Sequence, residues 1–443
     1  MSWSRGGWRN AKPSPHIPEY PDPAQLRAAE DLLKSWPPLV FAGEIRQLKR
    51  EIARVAQGEA FMLQGGDCAE TFSGFNTFTI RDTFRVLLQM AAILTFVGEK
   101  PVVRVGRVAG QFAKPRSRPT ETVDGIELPA YRGDMINSPE PVPEARRPDP
   151  QRMSRAYFQS AATLNLLRAF AGGGYADPHL AGQWLLEFVD HSAVREKYDL
   201  LVRQIDKTLN VMRAYRDPDE TVFTRRVDFF CAHEALFLPY EEALCRQDSL
   251  GTDIVAASAH FLWLGERTRD PDSPQAEFLS GVVNPLGVKC GPTTEGPALE
   301  RVLDKLDPNN EPGKITLILR AGVDKADRAY TRLIREIQAA GRRVAWIVDP
   351  MHGNPRRDGE IKTRYFSDIL HECKIFIDVC RAERVHPGGL HLELTGKNVT
   401  ECLGGSDGVV NLSSRYETGC DPRLNASQSL ELAFAVAEHL ARK

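Results

Sequence analysis

Cysteine is scarce in this chain: eight among 443 residues, with no two spaced as CxxC. That is too dilute for the disulfide scaffold of a small secreted domain. Long apolar runs are missing too. No stretch approaches the roughly 18 residues of a membrane span, and Met1-Ser2-Trp3-Ser4-Arg5 is not followed by the apolar segment a secretory signal needs. Neither sign of charge is in excess, with 57 basic and 59 acidic residues. No basic patch is interleaved with aromatics, which disfavours a nucleic-acid partner. Internal repeats and low-complexity tracts are also absent. These absences leave a soluble, cytoplasmic protein with no membrane partner, long enough to bury a large core.

What is present is a recurring unit: a short apolar run ending on a charged or metal-binding residue, usually beside glycine. The clearest runs from Val344 to Val348, is stopped by Asp349-Pro350 and turns at Gly353-Asn354, leaving His352 just past it. A run this short fits a buried strand better than a helix. Ala60 to Gln64 runs likewise into Gly65-Gly66-Asp67-Cys68, Pro101 leads to Arg107, and Val227 to Ala232 precedes His233-Glu234. Phe261 to Leu264 precedes Gly265-Glu266-Arg267, and Leu286 to Gly291, Lys314 to Gly322 and Gly389 to Gly396 complete the set. Eight such strands, most separated by helix-length segments, predict an α/β fold, the (β/α)8 TIM barrel, with its reactive groups at the C-terminal strand ends.

A barrel needs about 250 residues, so a single barrel domain over 1–443, with strands from 60 to 396, carries extra material. Residues 1–58 form an N-terminal arm and two helices, near 24–35 and 43–57, the second with Ile45, Leu48, Ile52 and Val55 on one face. The arm holds Trp3, Trp8 and five prolines, so it is extended and lies on a surface, either its own barrel or a neighbouring subunit. Residues 111–225, after strand 2, read as a mostly helical insertion with helices near 151–170 and 197–214, expected to build subunit contacts or a regulatory pocket. Further helices are predicted near 80–97 and 425–441.

Cys68, His352, Glu393 and, after a tight turn, Asp421 all fall at or beyond strand ends. A thiolate, an imidazole and two carboxylates together suit a divalent first-row transition metal better than magnesium or calcium. Each also has a plain reading on its own: a core cysteine, a satisfied histidine, a solvated acid. The eighth strand sharpens the case. Leu390, Leu392 and Leu394 share one face, so His391 and Glu393 share the other, and a glutamate turned into a barrel needs a partner.

Arg107, Arg267, Lys289 and Arg320 each end a different strand beside a glycine. Converging on a barrel mouth they would repel one another unless a highly charged anion is bound, and arginine holds phosphate or carboxylate bidentately. The plain alternative is pairing with acids such as Glu266 or Asp324. A second basic cluster, Lys114-Pro115-Arg116-Ser117, follows strand 2, and Lys362-Thr363-Arg364 follows strand 7. A Lewis-acidic metal beside a pocket for several anions implies chemistry at a carbonyl of a phosphorylated substrate.

The strand ends also match a known family. Gln64-Gly65-Gly66-Asp67-Cys68-Ala69-Glu70, Arg107 to Ser117, Tyr131-Arg132-Gly133-Asp134, Gly265 to Arg269, Asp349 to Asn354, Asn398 to Cys402 and Cys420 to Asn425 resemble type II 3-deoxy-D-arabino-heptulosonate 7-phosphate (DAHP) synthases. The likeness runs from Trp3 to the C-terminal helix, and the arm looks plant-like. The resemblance implies a transferase that condenses phosphoenolpyruvate with erythrose 4-phosphate, the first step of the shikimate route to aromatic amino acids. It implies manganese or cobalt on Cys68, His352, Glu393 and Asp421. Phosphoenolpyruvate would fall to Arg107, Glu266, Arg267, Lys289 and Arg320, and the aldose phosphate to Lys114, Arg116, Ser117 and Lys362. Arg107, Glu266, Lys289 and Lys114 would be the catalytic group, with Lys114 protonating the developing alkoxide. A homodimer or larger oligomer is expected, with chorismate mutase as a candidate partner.

The chain departs from that pattern at Asp270-Pro271-Asp272-Ser273-Pro274-Gln275, at Leu319-Arg320-Ala321-Gly322, at Pro355 and at Asn137-Ser138. The presumed ligands and arginines are untouched. Two alternatives follow: a secondary-metabolic paralogue taking a modified aldose phosphate, such as the amino or imino analogue used for aminoshikimate, and a catalytically inactive barrel serving as a binding or regulatory subunit.

Overall fold

The structure is a computed structural model describing residues 3–116, 118–123, 125–186, 189, 194–215, 226–406 and 408–442, without the side chains of 212–215. Ser117 and the Met212 side chain therefore lie outside the described residues. Strands β1 (Phe61–Gly66), β2 (Val102–Arg107), β3 (Phe230–Glu234), β4 (Phe261–Leu264), β5 (Leu286–Cys290), β6 (Ile315–Leu319), β7 (Val344–Val348) and β8 (Gly389–Glu393) pair in parallel and in chain order, and β8 closes on β1. With helices between the strands this is the expected (β/α)8 barrel.

Both faces of each strand are buried, which is why the runs read as continuously apolar. Alternate residues divide the two faces. Met62, Val103, Val105, Phe261, Trp263, Ile318, Ala345 and Ile347 pack inside the barrel, while Leu63, Leu262, Leu317, Val344 and Trp346 face the surrounding helices. The helix Ala42–Ala56 plugs the N-terminal end: its Leu48, Ile52 and Val55 join the interior cluster, and Ile45, on the same face, packs in the outer one. That plug closes the N-terminal end of the barrel interior and leaves the C-terminal mouth open.

The third strand begins later than the sequence predicts. Val227 N–H donates to Ala171 O at 3.1 Å, at the end of the insertion helix Arg152–Gly172. Pairing with β2 starts only at Phe230, opposite Val105. The docked helix thus takes the first residues of the apolar run away from the sheet. The second insertion helix is Val194–Tyr215, and a two-stranded ribbon, Thr120–Val123 with Ile126–Pro129, precedes both. A further ribbon, Arg356–Asp358 with Ile361–Thr363, follows β7. The N-terminal arm lies on its own barrel. Trp3 Nε1 donates to Glu277 O at 3.0 Å, Trp8 Nε1 to Glu242 Oε2 at 2.8 Å, and Arg9 pairs with Glu30 at 2.9 Å. Among the described residues no helix is long and apolar enough to cross a membrane.

Candidate active site

The register of β1 with its two neighbours sets the centre of the site. Gly66 is paired with Arg107 on β2 and with Glu393 on β8. Those two side chains rise on either side of a residue that has none, and Arg107 Nη2 reaches Glu393 Oε1 at 3.1 Å. Gly66 has φ 148°, and a Cβ there would stand 2.6 Å from Arg107 O, so the approach requires glycine. Arg107 Nη1 also meets His391 Nε2 at 2.8 Å, and its guanidinium carbon lies 5.3 Å from the Trp263 ring centre. The glutamate that needed a partner has one.

At the end of β7, buried Asp349 folds the following loop back on itself. Its Oδ1 accepts the backbone N–H groups of Met351 and His352 at 3.0 and 3.1 Å. Its Oδ2 lies 2.7 Å from both His352 Nδ1 and Lys289 Nζ. His352 thus bridges the two acids, with Nδ1 toward Asp349 and Nε2 3.0 Å from Glu393 Oε1. Asp421 approaches from the loop before the C-terminal helix, and the ligand atoms of His352, Glu393 and Asp421 all lie within 4.8 Å of one another. An ion with bonds of roughly 2.0–2.2 Å separates its ligands by roughly 3–4.4 Å, so these residues can close on a metal with little movement. Burial pushes the Glu393 carboxyl up, but His352, Arg364 and Arg107 outweigh it and hold it well below the usual range. Burial and the Glu393 charge likewise raise Asp421, yet Lys114, Arg364 and His352 bring it down to about 2. Both acids are therefore anionic and available to a cation.

Cys68 departs from its expected state. Its Sγ is bonded to Cys420 Sγ, and a disulfide sulfur carries no thiolate charge. It lies 3.6 Å from Asp421 Oδ2, beside the other ligands as expected, but could join them only as the free thiol.

Arg107, Lys114, Glu266, Arg267, Lys289 and Arg320 line one cavity with those ligands. The plain reading of the cations holds for most of them: Arg107 is paired with Glu393, Lys289 with Asp349 and Arg320 with Glu266. Arg267 is exposed at the rim and has no ion pair among the described residues. Burial lowers the Lys289 pKa in spite of Asp349, and burial lowers that of Lys114 in spite of Asp421. Lys114 Nζ lies 2.8 Å from Cys420 Sγ. Arg116 and Lys362 do not line this cavity. Arg116 turns to Glu121 on the first ribbon, Lys362 on the second ribbon pairs with Asp421, and Ser117 is outside the described residues.

Sequence reasoning gave no role at the site to four neighbours. Asp349 was visible only as a strand terminator, although Asp-Pro-x-His spacing is what lets its carboxylate reach back to the histidine. Glu234 lines the cavity as the last residue of β3, and its place at a strand end could have given it a role. Burial raises its pKa, against Lys289, His352, Arg267 and Arg107. Trp263 faces the cavity from mid-strand, and Arg364 reaches Glu393 Oε2 at 2.9 Å from a loop. Trp263 carries no local signal, and Arg364 was read only as part of the basic run Lys362-Thr363-Arg364.

Residues 3–437 match the model of the class-II DAHP synthetase family. The chain belongs to that family. It is 50% identical over 435 residues to a phospho-2-dehydro-3-deoxyheptonate aldolase of Streptomyces coelicolor, covering 97% of this chain and 96% of the relative. It is 47% identical over 438 residues to phospho-2-dehydro-3-deoxyheptonate aldolase AroG of Mycolicibacterium smegmatis, covering 97% and 93%. A relative of the same name from Neurospora crassa is 45% identical over 457 residues, covering 99% and 94%. The chain is thus an enzyme of the class-II DAHP synthase type, and the resemblance drawn from the strand-end motifs is correct.

Proposed function

We propose that this enzyme condenses phosphoenolpyruvate with erythrose 4-phosphate to give DAHP and inorganic phosphate, with manganese or cobalt held by His352, Glu393, Asp421 and, as the thiol, Cys68. The observation that carries the reading is that three anionic or lone-pair ligand atoms within 4.8 Å of one another share a cavity with Arg107, Arg267, Lys289 and Arg320. When bound, the ion polarises the aldehyde oxygen of the aldose as a Lewis acid.

The other steps fall to the chain's own groups. Arg267 at the rim is free to take the phosphate or carboxylate of phosphoenolpyruvate, and Arg320, Lys289 and Arg107 complete a cationic wall around it. Glu266 holds the Arg320 fork in place. A C–C bond forms between C3 of phosphoenolpyruvate and the aldehyde carbon, water adds its oxygen at C2, and phosphate leaves with the bridging oxygen. Lys114, whose burial eases loss of its proton, supplies that proton to the new alkoxide. Arg116, Ser117 and Lys362 would close on the aldose phosphate.

None of residues 270–275, the segment that departs most from the family pattern, lines the cavity. Ser273 instead caps the helix Pro274–Leu279, and Gln275 Nε2 donates to Leu236 O at 3.1 Å. This supports a working synthase over an inactive barrel. The test is consumption of phosphoenolpyruvate in the presence of erythrose 4-phosphate or its amino analogue. The reading expects turnover that stops with chelator and returns with manganese or cobalt. Turnover only with the amino analogue would select the paralogue reading, and none with either aldose from metal-loaded, reduced enzyme would sink both.

A further inference from the structure

Arg364 lies just past the ribbon Ile361–Thr363 and is 1% exposed. Its Nη1 is 2.9 Å from Glu393 Oε2, its Nε donates to Met351 O at 2.7 Å, and Nη1 donates to Pro422 O. Met351 directly precedes His352, and Pro422 directly follows Asp421. One guanidinium is thus ion-paired with one of the three ligand residues and hydrogen-bonded to the chain neighbours of the other two. Its own segment is tied down as well, since Leu403 N–H donates to Arg364 O at 2.8 Å.

A guanidinium is a rigid planar fork, so acceptors bonded to it are held at fixed separations from one another. The three segments it joins come from the loop after β7, from β8 and from the loop before the C-terminal helix, and the β-sheet pairs only the strands of the first two. Backbone pairing of Leu424 with the end of β8 (Leu424 N–H to Glu393 O and Thr395 N–H to Leu424 O, both 3.0 Å) anchors the far side of Pro422, and Arg364 is the side chain that joins Pro422 O directly to Met351 O of the β7 loop. Arg364 is also too deeply buried to touch a substrate. It does not line the cavity that His352, Glu393 and Asp421 share with the cations.

We propose that Arg364 is the positioning residue of the metal centre, holding His352, Glu393 and Asp421 at coordinating distances before an ion arrives. The inference rests on the metal reading above. A lysine in its place keeps the positive charge next to Glu393 but has a single nitrogen, which cannot span Met351 O, Pro422 O and Glu393 together. Outer groups that orient metal ligands are typically worth 10–100-fold in affinity.

The test uses the full-length, metal-stripped, reduced protein as wild type, Arg364→Lys and Arg364→Ala. Mn2+ affinity is measured by competition with a chelator, and the geometry is read from the visible absorption of bound Co2+. The expected result is that Arg364→Lys keeps the wild-type circular dichroism but binds Mn2+ about 10–100-fold more weakly, with a shifted Co2+ spectrum. Wild-type affinity and an unchanged spectrum in Arg364→Lys would overturn the inference. Should the lysine variant not fold, Arg364→Ala with and without added guanidinium ion decides. Affinity restored by the ion supports the positioning role, and affinity equal to wild type without it refutes that role. If the wild type itself binds neither Mn2+ nor Co2+, the metal reading fails first, an outcome distinct from either of these.

Discussion

Replacing Asp349 by asparagine removes one negative charge and almost no volume from the most constrained point of the site. The carboxylate now serves four donors: the N–H groups of Met351 and His352, His352 Nδ1 and Lys289 Nζ. An asparagine oxygen can still accept from the two backbone groups. Its NH2 would then face Lys289 and the histidine N–H as donor against donor. Losing one partner of a buried pair costs about 3–5 kcal/mol, and Lys289 can relieve part of this by releasing its proton, because burial already lowers its pKa. The histidine, no longer held in one tautomer, should lose roughly 10–100-fold in metal affinity, or about 1.4–2.8 kcal/mol. Denaturant unfolding of the metal-free Asp349→Asn protein and chelator competition with Mn2+ measure the two effects separately. An unfolding midpoint and a metal affinity both equal to wild type would refute the reasoning, since the 2.7 Å contacts would then be doing nothing for either group.

Gly66→Ala should lower the melting temperature and turnover together, because its Cβ would meet Arg107 O at 2.6 Å and overpacking there costs about 1–3 kcal/mol. A variant with native turnover would contradict the tight approach. Ile52→Ala, fully buried in the plug at the opposite end of the barrel, should cost about 2–5 kcal/mol of stability while leaving the KM for phosphoenolpyruvate unchanged. Lys314 donates to Asn284 O at 2.9 Å, and burial, helped by the Lys49 charge, brings its pKa down to about 7, from about 10.4 in the unfolded chain. Between those values the unfolded state binds more protons, so the penalty is full below pH 7 and lifts as pH rises toward 10. The wild type should therefore gain a few kcal/mol over Lys314→Met across that interval in chemical denaturation, and parallel curves would show that Lys314 titrates normally.

Strand positions were legible because burial of both faces leaves a local trace: short apolar runs bounded by charge and glycine. β7 and β4 were read to the residue. β3 was not, because Val227 answers to Ala171 of a distant helix, a competition invisible within the run itself. At the site, His352 and Glu393 were legible from strand-end position and from alternation along β8. The link between Cys68 and Cys420, 352 residues apart, left no local sign, and the cation pairings with Glu266 and Asp349 could be guessed only in part.

The sequence by itself determined the barrel, the amphipathic helix ahead of it and the residue types available at its mouth, since each follows from patterning within one or two turns or strands. Only the tertiary structure decided which of those residues meet. Whether Arg107 faces Glu393, or Arg364 joins Met351, Glu393 and Pro422, depends on strand register and on loop paths between segments far apart in the chain. Such contacts are set by the closure of the sheet and the exclusion of water from its mouth, forces that act on the whole chain and write nothing into any short stretch of it.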